Sequence, residues 1–220
     1  FGGGGTNCVC YAGFIDSFLQ QFFHGDVKKF MHQIESLAGT SGGCIMAVAL
    51  VLGIDMDVIM DVISHIDNEM AKEKNFVGFM KTYGLDTGDN VKAVISEVLS
   101  RGGIGPRCTM EMLFNLTKKR LYICTSNLKT SSSVVVDYVS HPNMLVADAI
   151  YRSMCIPVLF EPQIDEEGVW VDGCLTNSLP EVLYSPHTIA FMTYYPYKHI
   201  ENEVNCVSDY LSSILYCCMT

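Results

Sequence analysis

Charge is scarce in this 220-residue sequence, and positive charge is scarcer still. Only 17% of residues are charged, and 14 Lys+Arg stand against 24 Asp+Glu for a net charge of −10. Nucleic-acid binding needs clustered cations for the phosphates, so that class is excluded. The same balance repels anionic lipid, and any membrane contact has to come from local patches. Long apolar runs are missing too. The longest nearly unbroken one, Cys44 to Ile54, is about half of the ~20 residues a helix needs to cross a bilayer. Phe1 and the four glycines after it carry no signal-peptide h-region, and no membrane-spanning protein is expected. Repeats, low-complexity tracts and Pro-rich linkers are absent. The ten cysteines contain no Cys-x-x-Cys pair, which argues against a zinc ribbon or a thioredoxin-type centre.

What the chain does have is core. Hydrophobic residues make up 49% of it, enough for one domain and too many for disorder. Disulfide frameworks belong to small secreted domains that lack a core, so the cysteines read as buried free thiols in a reducing compartment. Tyr11, Phe14, Ile15, Phe18, Leu19 and Phe22 form a helical stripe that stops at His24-Gly25. Ile34 to Ala38 reads as a short strand, and Gly42 to Gly53 as a helix apolar on every side and therefore buried. Met56, Ile59, Met60, Ile63 and Met70 mark an amphipathic helix, as do Val91, Val94, Ile95, Val98 and Leu99. Leu121 to Thr125, Ser133 to Tyr138 and Ile189 to Tyr194 read as strands. Buried strands alternating with helices predict an α/β fold with a mostly parallel central sheet covered on both faces. The basic clusters Lys28-Lys29 and Lys118-Lys119-Arg120 read as solvated helix ends.

Three features carry chemistry. Gly39-Thr40-Ser41-Gly42-Gly43 is a Gly-x-Ser-x-Gly step between a strand and a helix, a turn that lifts the serine Oγ out at the helix N-terminus. The helix dipole and free N–H groups there suit developing negative charge. An ordinary Gly/Ser connection has the same letters. Gly2-Gly3-Gly4-Gly5 precedes the first helix, and consecutive N–H groups without side chains can form an anion-binding concavity. For a serine nucleophile that concavity is an oxyanion hole. A dinucleotide loop fits worse, because Asn7 and Cys8 stand where its third glycine would be, and no Gly-Lys-Ser/Thr follows for a P-loop. Val169-Trp170-Val171-Asp172-Gly173-Cys174 ends a short apolar strand in an Asp-Gly turn, which by itself is turn chemistry.

The three features in this order resemble the patatin-like phospholipases. Thr125-Ser126-Asn127-Leu128, Val146-Ala147-Asp148-Ala149-Ile150 and Ser153-Met154-Cys155-Ile156-Pro157-Val158-Leu159-Phe160 look like the family as well. The resemblance covers most of the chain, from about residue 2 to 195. It implies a single domain over residues 1–220, short of a full family domain at both ends, with a three-layer α/β/α fold. It further implies hydrolysis of acyl esters of phospholipids or neutral lipids through an acyl-enzyme. Ser41 would be the nucleophile, Asp172 its base, and Gly3, Gly4 and Gly5 the oxyanion hole, with Gly39, Gly43 and Gly173 flanking the motifs. The implied mechanism requires no metal and no cofactor, and its setting is cytoplasmic with peripheral membrane contact. The family carries Lys or Arg and then Gly where this chain has Asn7 and Cys8, and Gly or Ala where it has Cys174.

Two further readings stay open at this point. An α/β-hydrolase would add a late histidine, and His187 and His199 follow Asp172 in the required order. A non-catalytic lipid-binding or scaffold protein of the same fold would account for Asn7 and Cys8. Met70, Phe76, Phe79 and Met80 are candidates either for an acyl pocket or for plain core.

Overall fold

The computed structural model describes residues 1–64, 76–180 and 187–193. Its helices are α1 (Val9–Phe23), α2 (Val27–Met31), α3 (Gly43–Val51), α4 (Met56–Ser64), α5 (Phe76–Thr82), α6 (Asp89–Arg101), α7 (Met110–Thr117) and α8 (Val146–Met154). Its strands are β1 (Ser36–Thr40), β2 (Gly84–Asp86), β3 (Arg120–Asn127), β4 (Ser132–Val136), β5 (Val158–Phe160), β6 (Gln163–Ile164) and β7 (Val169–Asp172).

The helical stripe in α1 buries Tyr11, Ile15 and Leu19. The helix stops where His24 takes left-handed backbone at φ 56° and donates its N–H to the Leu19 carbonyl. Every residue of α3 is buried, which is why its sequence has no polar side. It packs on β1 and β3, with α2, α6 and α8 also against it. Apolar periodicity likewise holds in α6, where Val91, Ile95, Val98 and Leu99 face the core, and in α4, where Met56, Ile59 and Val62 do. Met70 lies outside the described residues.

The fold is mixed α/β, and β3 organises its sheet. β1 pairs in parallel with the first part of β3, from Ser36 opposite Arg120 to Thr40 opposite Cys124. β7 pairs antiparallel with the rest, from Asp172 opposite Thr125 to Trp170 opposite Asn127. β4 pairs with Ile123 to Asn127 and so occupies the other edge of β3. β1 and β7 therefore share one edge and run toward each other. Their C-terminal ends meet at Cys124 and Thr125. Parallel pairing is present at β1–β3 and β2–β5, while β4, β6 and β7 join antiparallel. For the β3–β4 and β6–β7 pairs the reason is connection length: these links are short, and a parallel neighbour needs a crossover of a dozen residues or more.

Strand boundaries shift from the sequence reading. The first strand runs Ser36–Thr40 rather than from Ile34 to Ala38. The strand expected from Ile189 to Tyr194 is a correction: residues 189–193 form no strand, and Tyr194 lies outside the described residues. Phe191 and Thr193 instead bond to the glycine loop and to Tyr11.

Candidate active site

The turn after β1 places Ser41 at φ 53°, left-handed backbone that costs a non-glycine residue about 1 kcal/mol or more. Tertiary contacts hold it there. The Ser41 N–H donates to Ser153 Oγ at 2.8 Å. Ser153 Oγ in turn donates to the Cys124 carbonyl, and Cys44 Sγ donates to Ser153 Oγ at 3.3 Å. The glycines of the motif are needed for close approach. A Cβ on Gly39 would lie 2.6 Å from Cys44 Cα, and one on Gly43 would lie 2.5 Å from the Gly2 carbonyl oxygen. A Cβ on Gly173 would meet the Cys124 carbonyl.

At the end of β7 the Asp172 carboxylate comes to Ser41. Ser41 Oγ donates to Asp172 Oδ2 at 2.6 Å, a short charge-assisted bond. The other carboxylate oxygen accepts the Cys174 N–H at 2.8 Å. The Asp172 backbone is tied down as well, its N–H to the Cys155 carbonyl and its carbonyl to Ser126 Oγ. Ser41 is 3% exposed and Asp172 fully buried. Burial pushes the Asp172 carboxyl up to about 6, against the opposing pull of the bonds from Ser41 and Cys174. A carboxylate so placed is a stronger base than one in water, and it sits at hydrogen-bond distance from the proton it would take.

The glycine loop reaches this pair from the other side. A Cβ on Gly3 would lie 3.4 Å from Ser41 Cβ and would collide with Cys174 Sγ. The Gly2 N–H donates to the Phe191 carbonyl at 2.8 Å, and the Gly3 N–H to the Ser178 carbonyl at 2.9 Å. Of the three glycines read from the sequence as the oxyanion hole, Gly3, Gly4 and Gly5, Gly3 has its amide turned to Ser178. Gly4 sits against Thr193, where a Cβ would lie 2.6 Å from Thr193 Oγ1. Gly5 takes left-handed backbone at φ 52° as the chain enters the turn before α1.

Residues 1–183 match the family model for patatin-like phospholipases. The chain belongs to the patatin-like phospholipase family. It is 23% identical over 156 residues to the uncharacterized protein R571 of Acanthamoeba polyphaga mimivirus, across 70% of this chain and 51% of that one. It is 26% identical over 205 residues to the uncharacterized protein YqhO of Bacillus subtilis strain 168, across 84% of this chain and 65% of that one. The chain thus spans about half to two thirds of the length of these relatives. Among solved structures, VipD from Legionella pneumophila superposes with a TM-score of 0.62 at 17% identity, covering 81% of this chain and 46% of that one. That likeness is one of fold.

In this patatin-like chain no histidine accompanies the serine and aspartate among the described residues. His187 lines a cavity of about 740 Å³ along the outer edge of β1, together with Phe1, Phe14, Phe18, Phe30 and Leu37. Neither Ser41, Asp172 nor the glycine loop lines it. His199, like Met70, lies outside the described residues. Of the acyl-pocket candidates, Met80 is 79% exposed and so encloses nothing. The seven cysteines among the described residues are free thiols, all buried except Cys10. Among the described residues no cluster of His, Cys, Asp or Glu could hold a metal ion, and no helix is long and apolar enough to cross a membrane.

Sequence reasoning missed one supporting side chain. Ser153 stood inside a stretch that resembled the family, but nothing in the stretch says that its hydroxyl reaches the Ser41 amide 112 residues away. Its flanking Cys-Ile-Pro ends α8 and turns the chain into β5, which is a turn signal rather than a site signal.

Proposed function

We propose that this chain is a lipid acyl hydrolase that cleaves carboxylic esters of phospholipids or neutral lipids with Ser41 as nucleophile and Asp172 as general base. The observation that carries the reading is the 2.6 Å bond from Ser41 Oγ to Asp172 Oδ2, with both groups buried. Family membership supports the substrate class. Asp172 takes the Ser41 proton as Oγ attacks the ester carbonyl carbon, and the carbonyl oxygen becomes an oxyanion. The glycine loop before α1 and the positive end of α3 are the elements this reading assigns to that charge. As the tetrahedral adduct collapses, Asp172 returns the proton to the departing alcohol or lysolipid oxygen, leaving an ester on Ser41. Water then attacks that ester, giving its proton to Asp172, and the second collapse releases the fatty acid and restores Ser41.

No step calls on a metal, and substrate is met by peripheral contact with a lipid surface. The test is fatty-acid release from phospholipid mixed micelles in EDTA, for the chain beside Ser41→Ala and Asp172→Ala. Release that disappears in both folded variants supports the proposal. Absence of release from the unmodified chain favours a lipid-binding or scaffold role instead.

A further inference from the structure

Arg152 stands beside Ser153 in the last turn of α8, and the two-residue mechanism uses neither its charge nor its reach. Its side chain is only 13% exposed, which is low for a cation. The guanidinium lies over the buried Trp170 ring, its central carbon 4.7 Å from the ring centre. Arg152 Nε donates to Gln163 Oε1 at 2.8 Å, and Nη2 donates to Asp165 Oδ2 at 2.6 Å. The remaining nitrogen, Nη1, is buried and has no partner among the described residues.

All three partners belong to one hairpin. Gln163 in β6 is paired with Trp170 in β7, and Asp165 stands in the link between the strands. Asp165 Oδ1 accepts the Glu167 and Gly168 N–H groups at 3.0 Å each and the Trp170 Nε1–H at 2.9 Å. One carboxylate thus joins the turn, the indole and the guanidinium. Trp170 and Asp172 are two residues apart in β7, so their side chains share a face of that strand. Asp172 is tied to the same helix end through its N–H, which donates to the Cys155 carbonyl at 2.8 Å. Adjacent residues of α8 therefore hold the two halves of the site. Ser153 holds the turn that carries Ser41, and Arg152 holds the hairpin that ends in Asp172.

Stability alone gives a poor account of this arginine. Burying a guanidinium carries a desolvation cost that is offset only when its N–H groups are bonded, and Nη1 is not. An apolar side chain of similar size is often neutral or better at such a position. We propose that Arg152 is a positioning residue that fixes the β6–β7 hairpin against α8 and, through Trp170 and β7, seats the Asp172 carboxylate against Ser41 Oγ. The inference rests on the hydrolase reading for its effect on turnover, but the seating of Asp172 is a property of the folded chain.

The experiment compares the full chain with Arg152→Met, Asp165→Asn and the double variant, using ester turnover in mixed micelles, thermal melting and backbone amide NMR. Arg152→Met keeps the length and the apolar contact with Trp170 and removes the fork. Its melting temperature is expected to stay close to that of the unmodified chain, while kcat falls about 10-fold with KM within about twofold. Asp165→Asn is expected to lower kcat by less. The double variant is expected to turn over no more slowly than Arg152→Met, because both substitutions break the same linkage. In the spectra of Asp165→Asn, the Cys174 amide, which donates to Asp172 Oδ1, is expected to shift, while the Ser41 amide, held by Ser153, stays in place.

An active chain whose kcat is unchanged in Arg152→Met overturns the inference, and so do losses that simply add in the double variant. A Cys174 amide unmoved in Asp165→Asn overturns it as well, whether or not the chain turns over ester, and this measurement decides the matter if Arg152→Met does not fold. If the chain is inactive but the Cys174 amide shifts while that of Ser41 does not, the positioning role stands and the hydrolase reading falls.

Discussion

Ser41 and Asp172 are 131 residues apart in the chain and share a 2.6 Å hydrogen bond because β1 and β7 end head to head on one edge of β3. Thr40 closes one ladder opposite Cys124, and Asp172 closes the other opposite Thr125. Consecutive registers on one strand thus place the two functional groups side by side.

That geometry makes a prediction about pH. Asp172 acts as a base only when ionised, and burial raises its carboxyl to about 6. For the free enzyme, kcat/KM is expected to rise with pH, reach half its maximum near 6 and stay level through neutral pH. A pH–rate profile on a short-chain ester checks this. A half-maximum near 4, the ordinary carboxylate range, would show that burial does not raise the carboxyl that acts as base.

Stability should move the opposite way. The folded value of about 6 lies above the unfolded carboxylate value, so the folded state binds this proton more tightly. The stabilising contribution is complete below about pH 4 and is lost as pH rises through about 6. At pH 7 the buried carboxylate is a burden on the fold. Asp172→Asn is therefore expected to abolish turnover while raising stability at pH 7, on the order of 2 kcal/mol, with little gain at pH 4. Urea denaturation at the two pH values measures the difference.

Ser153→Ala removes the acceptor of the Ser41 N–H and the donor to the Cys124 carbonyl, leaving two buried groups without these partners. The expected cost is about 1–3 kcal/mol of stability. Because Ser41 is held in left-handed backbone, kcat should fall about 10-fold or more with KM nearly unchanged. Thermal melting and steady-state kinetics separate the two effects. Equal losses in kcat for Ser153→Ala and for an unrelated core variant of the same stability would mean that Ser153 only supports the fold.

Thiol reactivity should divide by burial. Desolvation pushes Cys8 and Cys155 up to about 12 and Cys124 to about 11, and raises Cys44 and Cys174 further. Cys10 is exposed on α1. Limited iodoacetamide treatment of the folded chain at neutral pH, read by peptide mass spectrometry, is expected to label Cys10 well before Cys8, Cys44, Cys124, Cys155 and Cys174. Early labelling of Cys174 would contradict its packing against Gly3.

Much of the architecture followed from periodicity. Tyr11, Ile15 and Leu19 recur at helical spacing, the all-apolar stretch behind Ser41 leaves α3 no exposed side, and Val91 to Leu99 forms one apolar face. These signals are local, so the sequence carries them whole. The turn around Ser41 was equally readable, since Gly39 and Gly43 are there for contacts made within the same strand–turn–helix unit and with the adjoining loop. By contrast, 189–193 has an apolar strand-like pattern but forms no strand, because its apolar Phe191 packs on Phe1 and Phe14 and its backbone bonds to the glycine loop.

The residues of the site were thus written in the order of the chain: a glycine run, Ser41 in its turn, and Asp172 before Gly173. Their distances were not. Pairing register decided that Ser41 and Asp172 meet, and a hydroxyl from α8 decided how Ser41 is held. Contacts from Phe191 and Ser178 decided which way the Gly2 and Gly3 amides point. A glycine run carries no side chains to bias its own peptides, so their orientation can come only from the structure that closes around them.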